Sequence, residues 1–370
     1  MAAPNETPSS GSSGLVIARV GGVPVQIGAS WLLLAAVIIY IVVSGESDQG
    51  PRAYVLGLAF ALSLLVSVLL HEGAHAVTAR AAGLPVHRVV ADIWGGHTAY
   101  DPRLSTPGKA ALIAVVGPVA NLVLSGIAWV ASLAVAEDGL TGRVLYAVAF
   151  VNLLLGGFNL LPGLPLDGGQ LVDALVWKLT GRREKGLIAA GWTGRAVTVG
   201  VVLWFIARPL LAGDELTFYS IAWTGLICVF MWQGATGAIR TGQARQMLAR
   251  GTVAQVARPV PVLRGTDVLE AAAATGGLAV VVDETGHPTA LVLPQDAQTV
   301  PRDRWANTPV SALARVQPER WVADTRSQDD LTAVVTAIQE STSNVVVAVE
   351  GGRVLGLVTV EAVNAAIGAN

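Results

Sequence analysis

The sequence predicts an α-helical polytopic membrane domain of about six spans, followed by a soluble α+β domain. Three observations support this fold class. The chain of 370 residues is 53% hydrophobic and only 14% charged, and its mean hydropathy is +0.58, outside the usual balance of a soluble globular protein. Six stretches reach the roughly 20 mostly apolar residues that a helix needs to cross a membrane. After about residue 245 the composition changes to that of a soluble protein.

The composition also excludes several classes of function. The formal net charge is −2 and no basic stripe stands out, so we expect no nucleic-acid partner. A single cysteine, Cys228, rules out an intrachain disulfide and argues against a cysteine-based metal site. Residues 1–14 are rich in Pro, Ser and Gly and lack a basic region, which predicts a flexible tail and not a cleaved signal peptide.

The charges of the short loops predict the topology. The predicted spans are 25–44, 53–77, 110–136, 143–162, 187–212 and 216–237. Basic residues follow the second, fourth and sixth spans: Arg80, Arg88, Arg103 and Lys109; Lys178, Arg182, Arg183 and Lys185; Arg240, Arg245 and Arg250. Acidic residues occupy the loops between: Glu46, Asp48, Glu137, Asp138, Asp214 and Glu215. Because cytoplasmic loops carry the excess of Lys and Arg, this alternation predicts a multi-pass protein of the cell membrane with both termini in the cytoplasm.

The second span carries the strongest chemical signal, LLHEGAHAV at 69–77. On a helix, His71 and His75 are one turn apart and face the same way. Neutral imidazoles in this geometry can both reach one Zn²⁺, and Glu72 on the adjacent part of the turn can accept a proton from water. Two solvated or core histidines are the alternative, but ionisable groups within a membrane helix are costly and usually functional. The pattern therefore predicts metal-assisted peptide hydrolysis.

A catalytic zinc usually has three protein ligands, and the fourth span supplies a candidate for the third. It ends in FNLLPGLPLDGGQ (158–170), where Asp167 stands among prolines and glycines that break the helix. Both this span and the second run inward, so Asp167 reaches the same face of the membrane as His71 and His75. Asp173 is the competing carboxylate, but DALVWKL is typical of an ordinary helix start with a solvated first turn. We favour Asp167.

Other polar residues near these spans have two interpretations each. Asn159 lies about two turns before Asp167, where its amide either contacts the substrate carbonyl or holds helices together. Asn121 has the same two interpretations, and the small residues around it favour the structural one. His97, in IWGGHTAY, follows a Gly-Gly pair that suggests a hairpin near the site, where it would contact substrate or an inhibitory partner.

The soluble region contains an internal repeat. VVVDETGHPTALVLPQDA (280–297) and VVAVEGGRVLGLVTVEAV (346–363) share an apolar strand, an acidic and glycine-containing turn, a second strand and a helix start. Each follows a stretch with apolar residues at helical spacing. We therefore expect domains at 15–245 and 246–370, the second a pseudo-symmetric α+β domain.

The membrane region resembles the site-2 protease family of intramembrane zinc metalloproteases. HEGAH at 71–75 matches the family's HExxH, and NLLPGLPLDGG at 159–169 matches its second motif, an Asn, a Pro and an Asp-Gly in fixed order. The resemblance covers roughly 15–240 and includes the GGH stretch and the GPVAN of the third span. It implies zinc ligation by His71, His75 and Asp167, general-base catalysis by Glu72, and substrate positioning by Asn159.

The C-terminal repeats resemble a pair of CBS domains, which often bind an adenine nucleotide through a hydroxyl and an acidic residue in a strand-to-helix turn. This chain departs from that pattern in both copies. GLVTVEA (356–362) keeps Thr359 but has Ala362 in place of the acid, whereas ALVLPQD (290–296) keeps Asp296 but has Leu293 in place of the hydroxyl. Either the copies share one composite site formed by Thr359 and Asp296, or nucleotide binding has been lost. The resemblance also implies a homodimer formed through the pair.

The function predicted first is a protease that cuts a transmembrane segment near the cytoplasmic face. Its partners would be the lipid bilayer and a membrane-spanning protein substrate, such as a membrane-held transcriptional regulator, with the CBS pair as a regulatory element. The rival is a transporter or channel gated by the CBS pair, in which the His/Glu/Asp cluster binds an ion or relays protons. The inverted repeats common in transporters are not visible in the sequence.

Overall fold

The computed structural model describes residues 14–45, 50–92, 95–101, 104–136, 139–341 and 343–368. The chain divides between Gly242 and Gln243 into two compact units. The tail predicted for residues 1–14 lies outside the described residues except for Gly14, which begins the first strand.

Helices of membrane-spanning length confirm the polytopic class predicted for the first unit. Among the described residues, five helices are long and apolar enough to cross a membrane. They are α2 (Pro51–Ala81), α3 (Pro107–Ser132), α4 (Leu140–Asn159), the helix Arg183–Ala212 and α8 (Phe218–Leu248). The helix Arg183–Ala212 comprises α6 (Arg183–Val202), a π-helical turn (Leu203–Ala207) and α7 (Arg208–Ala212). A shorter apolar helix, α1 (Ala29–Gly45), occupies the place of the first predicted span.

The first predicted span starts later than the hydropathy suggested. Residues 25–28 belong to strand β2 (Val23–Gly28), which pairs in antiparallel register with β1 (Gly14–Val20). The apolar character of VQIG therefore reflects a strand, and α1 keeps 17 residues, about 25 Å at 1.5 Å per residue.

Two further strands complete a sheet beside α2. Strands β3 (Val86–Asp92) and β4 (Gly95–Tyr100) form the hairpin suggested by the Gly-Gly pair. The sheet order is β1-β2-β3-β4, with β2 and β3 parallel and β4 at one edge. Both β3 and β4 pack against α2, so the sheet places a strand next to the HEGAH turn.

The fourth predicted span ends earlier than expected, at Asn159. An irregular segment follows, held by the hydrogen bond from the Leu164 amide to the Ala190 carbonyl on α6, at 3.1 Å. The amphipathic helix α5 (Asp167–Thr180) then begins and packs against α3 and α6. Irregular backbone at membrane depth is tolerated where it is buried in protein.

The second unit has the α+β arrangement that the repeat predicted. After the last residues of α8, it continues with the short helix α9 (Val253–Val256). Its strands are β5 (Val262–Arg264), β6 (Ala279–Val282), β7 (Pro288–Val292), β8 (Arg315–Val316), β9 (Val322–Asp324), β10 (Val345–Glu350) and β11 (Arg353–Thr359). One sheet has the order β5-β6-β7-β8 and the other β11-β10-β9. Each central hairpin leads into a helix: α10 (Pro294–Ala297) follows β7, and α12 (Val360–Ile367) follows β11.

The helices preceding the two hairpins differ. The second copy has the α-helix α11 (Thr332–Ser341), whereas the alanine-rich stretch of the first copy forms a 3₁₀ helix, Leu269–Thr275. A core shared by both copies includes Val280 and Leu291 from one sheet and Val347 and Leu357 from the other. The two copies therefore form one packed body.

Candidate metal centre

Helix α2 brings two imidazoles and a carboxylate into the interior of the membrane unit. His71, Glu72 and His75 are 7%, 5% and 6% exposed. The rings of His71 and His75 meet edge to face with centroids 4.7 Å apart. The Ile113 carbonyl on α3 lies 2.6 Å from His75 Nδ1. That contact orients the His75 ring so that Nε2 points toward His71.

Asp167 meets these histidines as the first residue of α5. Its Oδ2 atom lies 3.0 Å from His71 Nε2 and 3.4 Å from His75 Nε2. The Gln170 amide donates to the other carboxylate oxygen at 3.1 Å. The two glycines after Asp167 allow this position, since a Cβ on Gly168 or Gly169 would collide with the backbone of the preceding irregular segment. The three side chains predicted as ligands are thus in one place.

The spacing of these three donor atoms fits a zinc ion. The two Nε2 atoms lie 3.0 Å apart, so the three separations are 3.0, 3.0 and 3.4 Å. Ligands about 2.0–2.1 Å from a tetrahedral zinc are separated from one another by about 3.3–3.4 Å. Two nitrogens and one carboxylate are also a donor set that zinc prefers. His71, His75 and Asp167 are the group of side chains among the described residues whose donor atoms lie close enough together to hold a metal ion.

Gly117 on α3 keeps the space beside the two imidazoles open. A Cβ built there would lie 2.7 Å from His71 Nε2 and closer still to His75 Nε2. Real Cβ atoms do not approach so closely, and both nitrogens are held by other contacts. Glycine at this position is therefore required for the observed arrangement of the ligands.

The hairpin orients Glu72, the predicted general base. The Thr98 hydroxyl on β4 lies 2.8 Å from Glu72 Oε2 and 3.0 Å from the Glu72 carbonyl oxygen. Glycine at position 96 permits this proximity, because the Cβ of any other residue there would lie 2.6 Å from Glu72 Cγ. Thr98 and Gly96 were not predicted from the sequence, although the Gly-Gly pair that marked the hairpin could have pointed to them.

These groups line a cavity of about 280 Å³. Asn159 and His97, both predicted as possible contacts, lie on its wall. His97 is exposed, and its Nδ1 atom is 3.9 Å from Asp92. Asn121 also lines the cavity, although its surroundings in the sequence favoured a structural role. It is 1% exposed and its Oδ1 atom has no hydrogen-bond partner among the described residues.

Asp173, the competing carboxylate, is not solvated as the sequence suggested. It is 6% exposed inside α5, and Arg183 Nε lies 3.9 Å from its Oδ2 atom. An arginine 10 positions further along the chain thus explains this buried acid. The sequence pattern placed it in a first helical turn because α5 was expected to start six residues later than it does.

The two residues predicted to bind a nucleotide in the second unit already have partners. Thr359 caps α12 by accepting a hydrogen bond from the Ala362 amide at 3.2 Å. Asp296 forms a hydrogen-bonded ion pair with Arg315. This hydrogen bond raises the pKa of the Arg315 guanidinium. The Thr359 contact lies within the first turn of α12, whereas the Asp296 contact joins α10 to β8. Nucleotide binding by Thr359 and Asp296 stays a prediction.

The chain is similar to known proteins in both of its units. The profile of peptidase family M50 matches residues 59–141 and 133–203. Rip3 of Mycobacterium tuberculosis, provisionally named a zinc metalloprotease, is 33% identical over 83% of this chain and 79% of its own. The solved site-2 protease from Methanocaldococcus jannaschii is 23% identical over 61% of this chain and 95% of its own, with a TM-score of 0.45. A solved CBS domain of a bacterial Mg²⁺ transporter with ATP covers 35% of this chain and 94% of its own, at 16% identity and a TM-score of 0.27.

Proposed function

Because the chain belongs to the M50 family of zinc metallopeptidases, we propose that it hydrolyses a peptide bond within a membrane-spanning segment of another protein, near the cytoplasmic face of the cell membrane. The observation that carries the proposal is the convergence of three zinc-type donor atoms and the Glu72 carboxylate on one cavity among membrane helices. Bound zinc would polarise the scissile carbonyl and lower the pKa of water to about 7.

The residues around the cavity have distinct tasks in this reaction. Thr98 lies within hydrogen-bond distance of Glu72 Oε2 and leaves Oε1 to accept a proton. Glu72 takes that proton from the attacking water and delivers it to the leaving nitrogen. His71, His75 and Asp167 hold the metal, and the Ile113 carbonyl and Gln170 orient two of these three ligands. Such outer contacts fix the orientation of ligand side chains.

The hydrogen bonding of a helix supports an unwound substrate. A helical peptide bond hides its carbonyl in the helix hydrogen bonds. Glu72 and the two asparagines on the cavity wall can therefore act only on a peptide group that is free of those bonds. We therefore propose that a short extended stretch of the substrate enters, and that the substrate helix opens at that point.

The proposed depth of cleavage follows from the topology. Arg80 lies in the last turn of α2, on the side that the loop charges assign to the cytoplasm. His71 and His75 precede the last residue of α2, Ala81, by 10 and 6 positions, or about 15 and 9 Å along the axis. The scissile bond would thus lie in the inner half of the bilayer, and the cytoplasmic fragment of the substrate would be released.

Asn121 and Asn159 are proposed to bind the peptide group of the substrate. Both line the cavity, and Asn121 Oδ1 has no hydrogen-bond partner among the described residues. Each side-chain amide also carries an NH₂ donor, and a preorganised donor stabilises the charge that develops on the carbonyl oxygen. We expect Asn121→Ala and Asn159→Ala each to lower kcat by about 10²–10³-fold, with unchanged zinc content.

Asn152 on α4 provides the matched control for the asparagine variants. Its amide donates to the Ser67 hydroxyl and the Val148 carbonyl, both at 2.8 Å, and it does not line the cavity. Asn152→Ala should lower the melting temperature and leave the turnover of the folded enzyme unchanged. If Asn121→Ala and Asn159→Ala behave in the same way, their proposed role in catalysis is wrong.

The proposed function is tested by reconstitution. The full chain would be placed in lipid vesicles with a panel of tagged proteins, each with one membrane span, and products would be mapped by mass spectrometry. We expect cleavage in the inner half of the span, its loss on treatment with 1,10-phenanthroline, and its return with zinc. Zinc or proton flux without any cleaved product would instead support the transporter. A change in cleavage rate on adding AMP or ATP would support regulation through the second unit, and an unchanged rate would oppose it.

A further inference from the structure

An arginine within the membrane unit lies between two tryptophan rings. On α6, the guanidinium carbon of Arg195 lies 4.8 Å from the ring centroid of Trp192 and 4.9 Å from that of Trp232 on α8. Its Nη2 atom donates to the Thr236 hydroxyl at 3.1 Å. Two ring faces and one hydrogen bond thus fix the position of the charged group. We call these four residues the arginine clamp.

Within the described ranges, the positive charge of the clamp has no anionic partner. No carboxylate in the described part of the chain forms an ion pair with Arg195, and its Nε atom is buried without a hydrogen-bond partner. A guanidinium has five N–H donors, of which the Thr236 contact uses one. Charged side chains at membrane depth normally pair with another group. The clamp therefore has unused hydrogen-bonding capacity for an anion.

The position of the clamp along both helices matches the inner headgroup region. The loop charges assign Asp214 and Glu215 to the outer side of the membrane, where they mark the polar boundary. Arg195 lies 18 residues before Gly213, and Thr236 lies 18 residues after Phe218, about 27 Å in both cases. The hydrocarbon core is about 30 Å thick. Both helices therefore place the guanidinium at the boundary where phosphate groups of the inner leaflet begin.

Both tryptophan rings of the clamp are exposed on the surface of the membrane unit. Trp192 is 56% exposed and Trp232 is 45% exposed. Tryptophan is enriched where hydrocarbon meets headgroups, and arginine binds phosphate through two parallel hydrogen bonds. We propose that Trp192, Arg195, Trp232 and Thr236 form a binding site for the phosphate group of an anionic phospholipid in the inner leaflet. The uncompensated charge of Arg195 favours an anionic lipid over a zwitterionic one.

The bound lipid would join two helices that support the metal centre. Arg195 is on α6, and Trp232 and Thr236 are on α8. Next to the clamp, α6 and α8 contact the irregular segment before Asp167: a Cβ on Gly194 would collide with the Leu164 carbonyl, and one on Gly234 with Pro165. A lipid held between α6 and α8 would therefore stabilise the packing around this segment. The proposal does not depend on the proposed proteolytic function.

Native mass spectrometry of the detergent-purified full chain tests the site. Phosphatidylglycerol and phosphatidylcholine would be compared on the unmodified chain, Arg195→Gln and Arg195→Lys. The matched control is Arg240→Gln, which removes an exposed charge of α8 that has no cation–π contact with a tryptophan in the described part of the chain. We expect one phosphatidylglycerol bound roughly 10-fold more tightly by the unmodified chain and by Arg240→Gln than by Arg195→Gln. Arg195→Lys should give an intermediate affinity, because it keeps the charge and loses the planar fork.

A thermal-shift measurement provides a second readout. Phosphatidylglycerol should raise the melting temperature of the unmodified chain by roughly 2–4 °C, and that of Arg195→Gln by less. Equal phosphatidylglycerol retention by the unmodified chain and Arg195→Gln would overturn the proposal, as would an equal loss in Arg240→Gln. Displacement of the lipid by millimolar glycerol 3-phosphate would assign the site to a free phosphate and overturn its assignment to a lipid.

Discussion

Glu72→Gln is expected to lower peptide hydrolysis by about 10²–10⁴-fold while the zinc content stays near that of the unmodified chain. The amide has the shape of the carboxylate but cannot accept a proton from water. Glu72 is not among the three residues whose donor atoms converge, so the metal should remain. The rate with a cleavable membrane-spanning substrate, together with elemental analysis, measures both effects in one preparation.

Two variants act as controls for this experiment. Glu184→Gln removes a glutamate that pairs with Arg182 at the start of α6, away from the cavity, and should leave the rate unchanged. Thr98→Val removes the hydrogen bond to Glu72 Oε2 and should give a smaller loss than Glu72→Gln. Full activity of Glu72→Gln would show that another group moves the proton.

Asp167→Ala and His71→Ala are each expected to weaken zinc binding by at least about 100-fold, since the loss of a supporting group alone costs 10–100-fold. Each variant leaves two of the three donor atoms that lie 3.0–3.4 Å apart. Elemental analysis of the detergent-purified chain should find close to one zinc per unmodified chain and far less in both variants. Zinc retained in Asp167→Ala would place the third ligand elsewhere.

Gly117→Ala should reduce zinc content in the same measurement, although it removes no ligand. The added methyl group would occupy the space next to both Nε2 atoms. Gly126→Ala is the matched control on the same helix, because a Cβ there would meet nothing within 4 Å. Equal zinc in Gly117→Ala and the unmodified chain would mean that the imidazoles can move aside without losing the ion.

The ligands could be predicted from the sequence because their signals are local or topological. His71, Glu72 and His75 lie within one and a half turns of a single helix, and their spacing alone predicts a common face. Asp167 is distant in sequence, but the charges of the loops placed it at the same membrane face. The apolar runs predicted the spans for the same reason, since the length needed to cross a bilayer is fixed.

The missed features depend on contacts between distant parts of the chain. Strand β2 pairs with β3 across about 60 residues, so a four-residue apolar stretch was counted as part of a helix. Thr98 bonds Glu72 only because β4 packs on α2. Asn121 reaches the cavity, and its neighbouring small residues favoured helix packing in the sequence. No periodicity within one segment reports contacts of this kind.

We expect the close contact at Gly117 to make the residue at this position a marker of a competent metal centre. A protein with the same helices and the full ligand set, but with a larger residue at this position, could not hold both imidazoles as they are held here. The residue that reveals such a loss is neither a ligand nor an acid or base. A relative that has kept both sequence motifs and lost its chemistry would therefore be recognised by one added methyl group on a neighbouring helix.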